Sequence, residues 1–419
     1  MKKFVLIIFL SLLSTFSFAQ NQTALNWNDC VKETVKNNPD LAASRQVVQQ
    51  YQSQKWISAS PMLPQISAGS SVNKAYNFSN NQDRNKYDYY VQGEQLIFDG
   101  FKTYHDFKAA KEDMSAAQFN STLTSANIRY NLRKAFVELL QAQAMLPLTQ
   151  EIIQRRKQNL DMIRLSYKSG REHEGSLLLA EADLKQAEYD LRKAKRDISV
   201  AQYALSQVMN QQQNASLKVR GEFTLQKTST SNPDLKLLAD NHPQIQMIKA
   251  EKNAAQHSVS SAKAEFFPEV SLNAKAGKVG VGISSDDEGW SVGVGAALPI
   301  FEGGRRIANT QKTRAQLREA QHNETSEYNS ILSSLEDTWR NLQDTIEETS
   351  VQKSYLEAAQ MRAKIARAQY ANGLLIFDNW IIIEDNYISR QKSYLTSQAN
   401  MLIAEALWIK TKGEILNYE

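Results

Sequence analysis

The stretch Tyr89-Tyr-Val-Gln-Gly-Glu-Gln-Leu-Ile-Phe98-Asp-Gly100 recurs further along the chain as Trp290-Ser-Val-Gly-Val-Gly-Ala-Ala-Leu-Pro-Ile-Phe301-Glu-Gly303. Each copy follows a shorter partner, Pro64-Gln-Ile-Ser-Ala-Gly in the first case and Pro268-Glu-Val-Ser-Leu-Asn in the second, and each opens into a long helical pattern. Phe98 to Phe301 and Gly100 to Gly303 are both 203 residues, and Pro64 to Pro268 is 204. A chain of 419 residues has room for two or three ordinary domains, but a fixed offset points instead to one fold built from two tandem repeats. We place the first at about 20–220 and the second at 221–419.

In the first copy Ile66, Ala68, Ser70 and Val72 alternate with Ser67, Gly69, Ser71 and Asn73; then Tyr87, Tyr89, Val91 and Ile97 alternate with Asp88, Tyr90, Gln92 and Glu94. The second copy alternates more cleanly, with Trp290, Val292, Val294, Ala296, Leu298 and Ile300 against small residues. Period two predicts strands at about 64–76, 87–99, 268–281 and 289–301, paired as two hairpins, with a polar loop over 77–86. One apolar and one small or polar face suits a barrel wall between lipid and a wet interior. Half of a soluble sandwich is the competing reading, but the flanking helices offer it no second sheet.

From Lys102 to Ser166 there is no glycine and one proline, Pro147; from Arg305 to Gln369 there is neither. At 1.5 Å per residue each predicted helix, 102–166 and 305–369, is about 98 Å long. Ile128, Leu132, Ala135, Leu139, Ala142 and Leu146 are spaced four and three apart, a coiled-coil seam. Pro147 is expected to bend its helix. Tyr167-Lys-Ser-Gly170 and Tyr370-Ala-Asn-Gly373 end the two helices, and return helices follow at about 176–209 and 374–412. These are about half as long, so the helices Asp40 to Ala59 and Gln244 to Ala264 are expected to stack end to end on them. A helix starting at Asn28-Asp29 precedes the first repeat's strands, and Leu217 to Val219 is a possible short strand in the connector between repeats.

Lys2, Lys3, the apolar run Phe4 to Leu13 and Ser17-Phe18-Ala19 make residues 1–19 an export signal peptide. Cys30 does not directly follow a small-residue cleavage motif, so no lipid anchor is expected on it, and one cysteine forms no internal disulfide. Without Lys2 and Lys3, 47 basic residues face 45 acidic ones, 49 − 2 against 45, which gives nucleic acid no electrostatic footprint. The longest later apolar run, Leu374 to Ile383, is too short to span a bilayer as a helix and is broken by Asp378 and Asn379. A mature chain that crosses a membrane must use its strands.

An enzyme is not expected. His105, His173, His242, His257 and His322 are scattered, with no H-E-x-x-H or cysteine cluster, so neither cofactor nor metal is predicted. The glycine-rich runs Gly277 to Gly282 and Gly289 to Gly295 lie in strands with no phosphate-binding helix start behind them.

Four strands cannot close a barrel, and open edges do not survive in lipid, so several copies must pool their strands. Asn38-Pro39-Asp40-Leu41, Leu63-Pro64, Phe267-Pro268, Leu96-Ile-Phe98-Asp-Gly100, Leu298-Pro-Ile-Phe301-Glu-Gly-Gly304 and the two Tyr-x-x-Gly turns give the chain its resemblance to the TolC-like outer-membrane efflux proteins, over essentially the whole mature length. The resemblance implies a mainly α fold with a β-barrel part: a homotrimer whose twelve-stranded barrel in outer-membrane lipid continues into a periplasmic α-helical barrel. It implies a passive exit duct for drug efflux or type I secretion. The duct would dock a periplasmic adaptor (membrane fusion protein) and an inner-membrane pump of the RND, ABC or MFS type. A poreless structural or adhesin-like envelope protein is the alternative; a soluble periplasmic adaptor would lack the paired strands.

The same resemblance places the gate at the far helix turns, marked by Gly170 and Gly373. It assigns Tyr370 to holding the closed state, but the position of that tyrosine's usual acidic partner is occupied by Ser176, so the family's locking contacts are not carried over intact. The acids expected six and nine residues after Gly373 are replaced by Asn379 and Ile382, and an expected basic residue by Leu375, which leaves Asp378 and, further up, Glu384 and Asp385. Asp378 reads as a constriction residue that favours cations or as a solvated tip residue. Leu374, Leu375, Phe377 and Trp380 read either as an adaptor-docking surface or as packing between helices. Arg171-Glu-His-Glu174 reads as a solvated turn.

Overall fold

The computed structural model describes residues 24–77, 82–211, 217–225, 233–280 and 287–416. The signal-peptide segment lies outside them.

Asn26 closes a capping box at the start of α1 (Trp27–Asn37), its side chain accepting from Asp29 N at 2.8 Å while its own N–H donates to Asp29 Oδ2 at 3.1 Å. The helix therefore begins one residue before Asn28-Asp29, with its cap at Asn26, because Asp29 serves as the third-position acid of the box. Asn38 caps α2 (Pro39–Ala59), with Pro39 at its first position, where a missing N–H costs nothing. A single 3₁₀ turn at Ser60–Met62 leads into the sheet.

Strands β1 (Gln65–Asn77), β2 (Gln82–Phe98), β3 (Glu269–Gly280) and β4 (Asp287–Ala297) form one sheet in the order β1-β2-β3-β4, antiparallel throughout. Two boundaries differ from the sequence pattern. Residues 82–86 belong to β2, paired with 73–77, although they carry no apolar alternation. A membrane strand needs only about 9–11 residues in the hydrocarbon, so a longer hairpin can be polar at its tip. The fourth strand stops at Ala297 rather than 301, where Pro299 has no N–H for a ladder. The register puts Ser67, Gln92, Asn273, Lys275, Ser291 and Gly293 on one face, and Ile66, Val91, Leu272, Val292 and Val294 on the other. Among the described residues, strands β1 and β4 each have one free edge.

Helices α3 (Lys102–Lys168) and α7 (Arg305–Ala371) have 67 residues each, and α4 (Glu174–Val208) and α8 (Phe377–Thr411) have 35 each. All four pairs of bounds differ by 203, so the two copies match residue for residue through the hairpins. Short α5 (Leu235–Asp240) precedes α6 (Pro243–Ala264), which is capped by His242. Asn38 Nδ2 donates to Val208 O at 2.9 Å and Asn210 Nδ2 to Asn37 O at 3.0 Å, joining α4 end to end with α2. In the second copy Gly413, just past α8, packs against Pro243 at the start of α6.

The seam residues Ile128, Leu132, Ala135 and Leu139 are buried mid-helix with Cys30, Val31, Leu205, Met209, Leu217, Val219 and Leu402. The connector is fastened there: Gln143 brackets Val219, donating to its O at 2.8 Å and accepting from its N at 3.0 Å, and Leu25 pairs with Val219 in a single parallel bridge. Helix α3 passes through Pro147 without interruption. No helix among the described residues is long and apolar enough to cross a membrane.

Candidate functional site: the far turns of the two hairpins

Both long helices end in a Schellman turn, with Arg171 N donating to Ser166 O at 2.9 Å and Leu374 N to Gln369 O at 2.8 Å. The residue that makes each turn, Gly170 or Gly373, has a positive φ of 71° or 73° that side chains disfavour. Helix α4 then starts at His173, whose Nδ1 accepts from Ser176 N at 3.2 Å, and Ser176 Oγ lies 3.2 Å from the other ring nitrogen.

Tyr370 is the centre of the tip. Its ring stacks on Trp380 at 4.3 Å between centroids and 10° between planes, and its hydroxyl donates to Glu172 Oε1 at 3.2 Å. Burial, with the Glu172 carboxylate adding to it against an opposing hydrogen bond with Ser166, pushes the hydroxyl up to about 12. Leu160, Ile163, Ala180, Ala366, Phe377 and Ile381 complete this core, which draws on α3, α4, α7 and α8 together.

Three sequence expectations change here. Ser176 is not the tyrosine's partner, because it is buried with its hydroxyl against His173; Glu172 takes that role. The Arg171–Glu174 turn is therefore not simply solvated. Phe377 is 3% exposed and Trp380 is fully enclosed, so neither belongs to a docking surface. Residues 377, 380 and 381 lie three and four apart on α8, one helical face, which is turned into the seam. Leu374 and Ile376 are 76% and 64% exposed, Leu375 is half-buried, and Asp378 and Asn379 are exposed on the first turn of α8. A cleft of about 590 Å³ between the turns is lined by Leu165, Arg171, Glu172, Tyr370, Ile376 and Asp378.

Four turns above, α3 presents two consecutive arginines. Arg155 Nε lies 2.9 Å from Glu384 Oε2 on α8, and its guanidinium sits 4.7 Å from the centroid of the Tyr387 ring. Arg156 reaches Asp183 on α4 at 3.3 Å and also pairs with Asp385 on α8. Burial outweighs the attraction of Arg156 and holds the Asp183 carboxyl above its ordinary range. Arg367 adds a bond from α7 to Gln158 Oε1 at 2.8 Å. Nothing in local sequence pattern pairs 155 with 384 or 156 with 385; only the packing of α3 against α8 does.

The chain matches the family described as outer membrane efflux protein over residues 30–211 and 235–375. It belongs to the outer membrane efflux protein family. Outer membrane efflux protein BepC of Brucella suis is 24% identical over 330 residues, 78% of this chain and 72% of the relative. The probable outer membrane lipoprotein SilC of Salmonella typhimurium is 21% identical over 83% of this chain and 77% of its own length. Among solved structures, the outer membrane protein VceC of Vibrio cholerae superposes with a TM-score of 0.83 at 18% identity, covering 93% of this chain and 96% of that one. The open-state MtrE channel of Neisseria gonorrhoeae does so with 0.84 at 16%, covering 94% and 90%.

As an outer membrane efflux protein, the chain is a channel of the outer membrane that extends into the periplasm, and its family and fold are those of channels rather than enzymes. Its sheet is the membrane part and its helices the periplasmic part. Cys30 lies inside α1, fully buried, and burial, with Asp29 adding to it, pushes its thiol up to about 12, as befits a packing residue.

Proposed function

We propose that three copies of this efflux protein form one passive exit duct, each contributing four strands to a twelve-stranded barrel and one repeat pair, 20–220 and 221–419, to the helical tube below. The carrying observation is the sheet itself: four strands, one apolar face and two free edges, β1 and β4. Free edges cost several kcal/mol per unpaired backbone group in hydrocarbon, so the edge of one copy must pair with the opposite edge of the next. Outer-membrane fractions run unboiled on a denaturing gel should show a trimer that heat converts to monomer; recovery as a soluble periplasmic monomer would overturn the reading.

The duct closes where the hairpins turn. The Tyr370–Glu172 bond and the ion pairs Arg155–Glu384 and Arg156–Asp385 tie the α7–α8 hairpin to the α3–α4 hairpin, and opening separates them. Asp378 and Asn379 face the constriction. Leu374, Leu375 and Ile376 form the apolar tip that a periplasmic adaptor covers, and an inner-membrane pump of the RND, ABC or MFS type supplies the energy. In planar bilayers Asp378→Ala should change conductance and cation preference; unchanged values remove Asp378 from the constriction.

A further inference from the structure

His105 and His257 are far apart in sequence and read as two of five scattered histidines, yet they meet across the α3–α6 interface. Their Nδ1 atoms are 3.4 Å apart, with ring centroids at 5.7 Å and planes tilted by 31°. His105 sits in the first turn of α3, directly below the sheet. Two imidazole nitrogens held at about 2.0–2.1 Å by one tetrahedral ion are themselves about 3.4 Å apart, the chord of the tetrahedral angle. We infer that His105 and His257 form a two-histidine site for a divalent transition-metal ion of the zinc, copper or nickel class, which clamps α3 to α6 beneath the barrel.

Imidazole is the side chain such ions prefer, and it must be neutral to bind. In the metal-free pair one Nδ1–H donates to the other Nδ1. Binding moves that proton to Nε2 of the same ring, which frees both lone pairs with no net proton release. Both rings are half-buried, so solvent can complete the coordination shell. Among the described residues no third histidine, cysteine or carboxylate completes a cluster. Glu112, which accepts from Asn253 Nδ2 at 3.4 Å one turn along α6, adds negative charge nearby; Lys108, over the Tyr104 ring at 5.4 Å, opposes it. Asp106 is occupied by Lys102 and Ser261.

The test uses the full chain in detergent, without a histidine tag and stripped by chelator, titrated with Zn²⁺ and with Cu²⁺. One ion per chain should bind, Zn²⁺ should raise the melting temperature, and the Cu²⁺ paramagnetic resonance spectrum should show coupling to two imidazole nitrogens. His105→Ala and His257→Ala should each weaken binding by at least about tenfold, as loss of a ligand exceeds the 10–100-fold typical of supporting residues, while His322→Ala leaves it unchanged. Binding by the wild type no tighter than by the double variant overturns the site and leaves only a histidine–histidine hydrogen bond. So does a spectrum without two nitrogens, which needs no variant to fold.

Discussion

Tyr370 does two jobs with one ring, filling the tip core and closing a polar contact to Glu172. They can be separated. Tyr370→Phe keeps the stack and loses a bond to a carboxylate worth about 1.5–3 kcal/mol; single-channel recordings should show more frequent or larger openings with little change in melting temperature. Trp380→Ala removes a fully enclosed aromatic and should cost about 3–5 kcal/mol, read as faster proteolysis at the hairpin tip. The hydroxyl also has a pH signature. Its folded pKa is raised to about 12, so its contribution to stability is complete below the ordinary tyrosine value and is lost as pH rises through about 12. An alkaline absorbance titration should contain one late-ionising tyrosine that Tyr370→Phe removes.

At the scale of elements, the strand-to-helix junctions look alike in sequence and differ in packing. Gly100 has φ +69°, and a Cβ there would lie 2.6 Å from Phe267 Cβ and 2.8 Å from Ala264 O; Gly303 has φ +62° but open space around it. Gly303→Ala should cost only the left-handed backbone penalty of about 1–2 kcal/mol. Gly100→Ala adds an overlap with the backbone where α6 hands over to β3, and should lower trimer yield and melting temperature much more. The two long helices of the hairpins were legible because their runs lack glycine and, apart from Pro147, proline, and because α3 carries a four-three apolar repeat. Residues 82–86 were not legible as strand, because their sequence carries no apolar alternation and only pairing with 73–77 fixes them.

At the scale of the whole molecule, the two faces of the sheet should respond oppositely to charge. Val292→Arg places a guanidinium on the apolar face at a cost of about 2–4 kcal/mol near the bilayer midplane and should abolish assembly, whereas Ser291→Arg, on the polar face, should assemble and alter conductance. Trimer recovery from outer membranes measures both. The sequence by itself determined the repeat, the helices, the strand faces and the need for partner copies, because these follow from periodicity, from turn residues and from the count of strands, all local properties. Only the tertiary structure decided which side chains meet: Glu172 under Tyr370, Arg155 and Arg156 against Glu384 and Asp385, His105 beside His257. Contacts between helices that run together but lie some 150 to 230 residues apart in the chain are set by how the rods pack, and no spacing along one strand of sequence encodes that register.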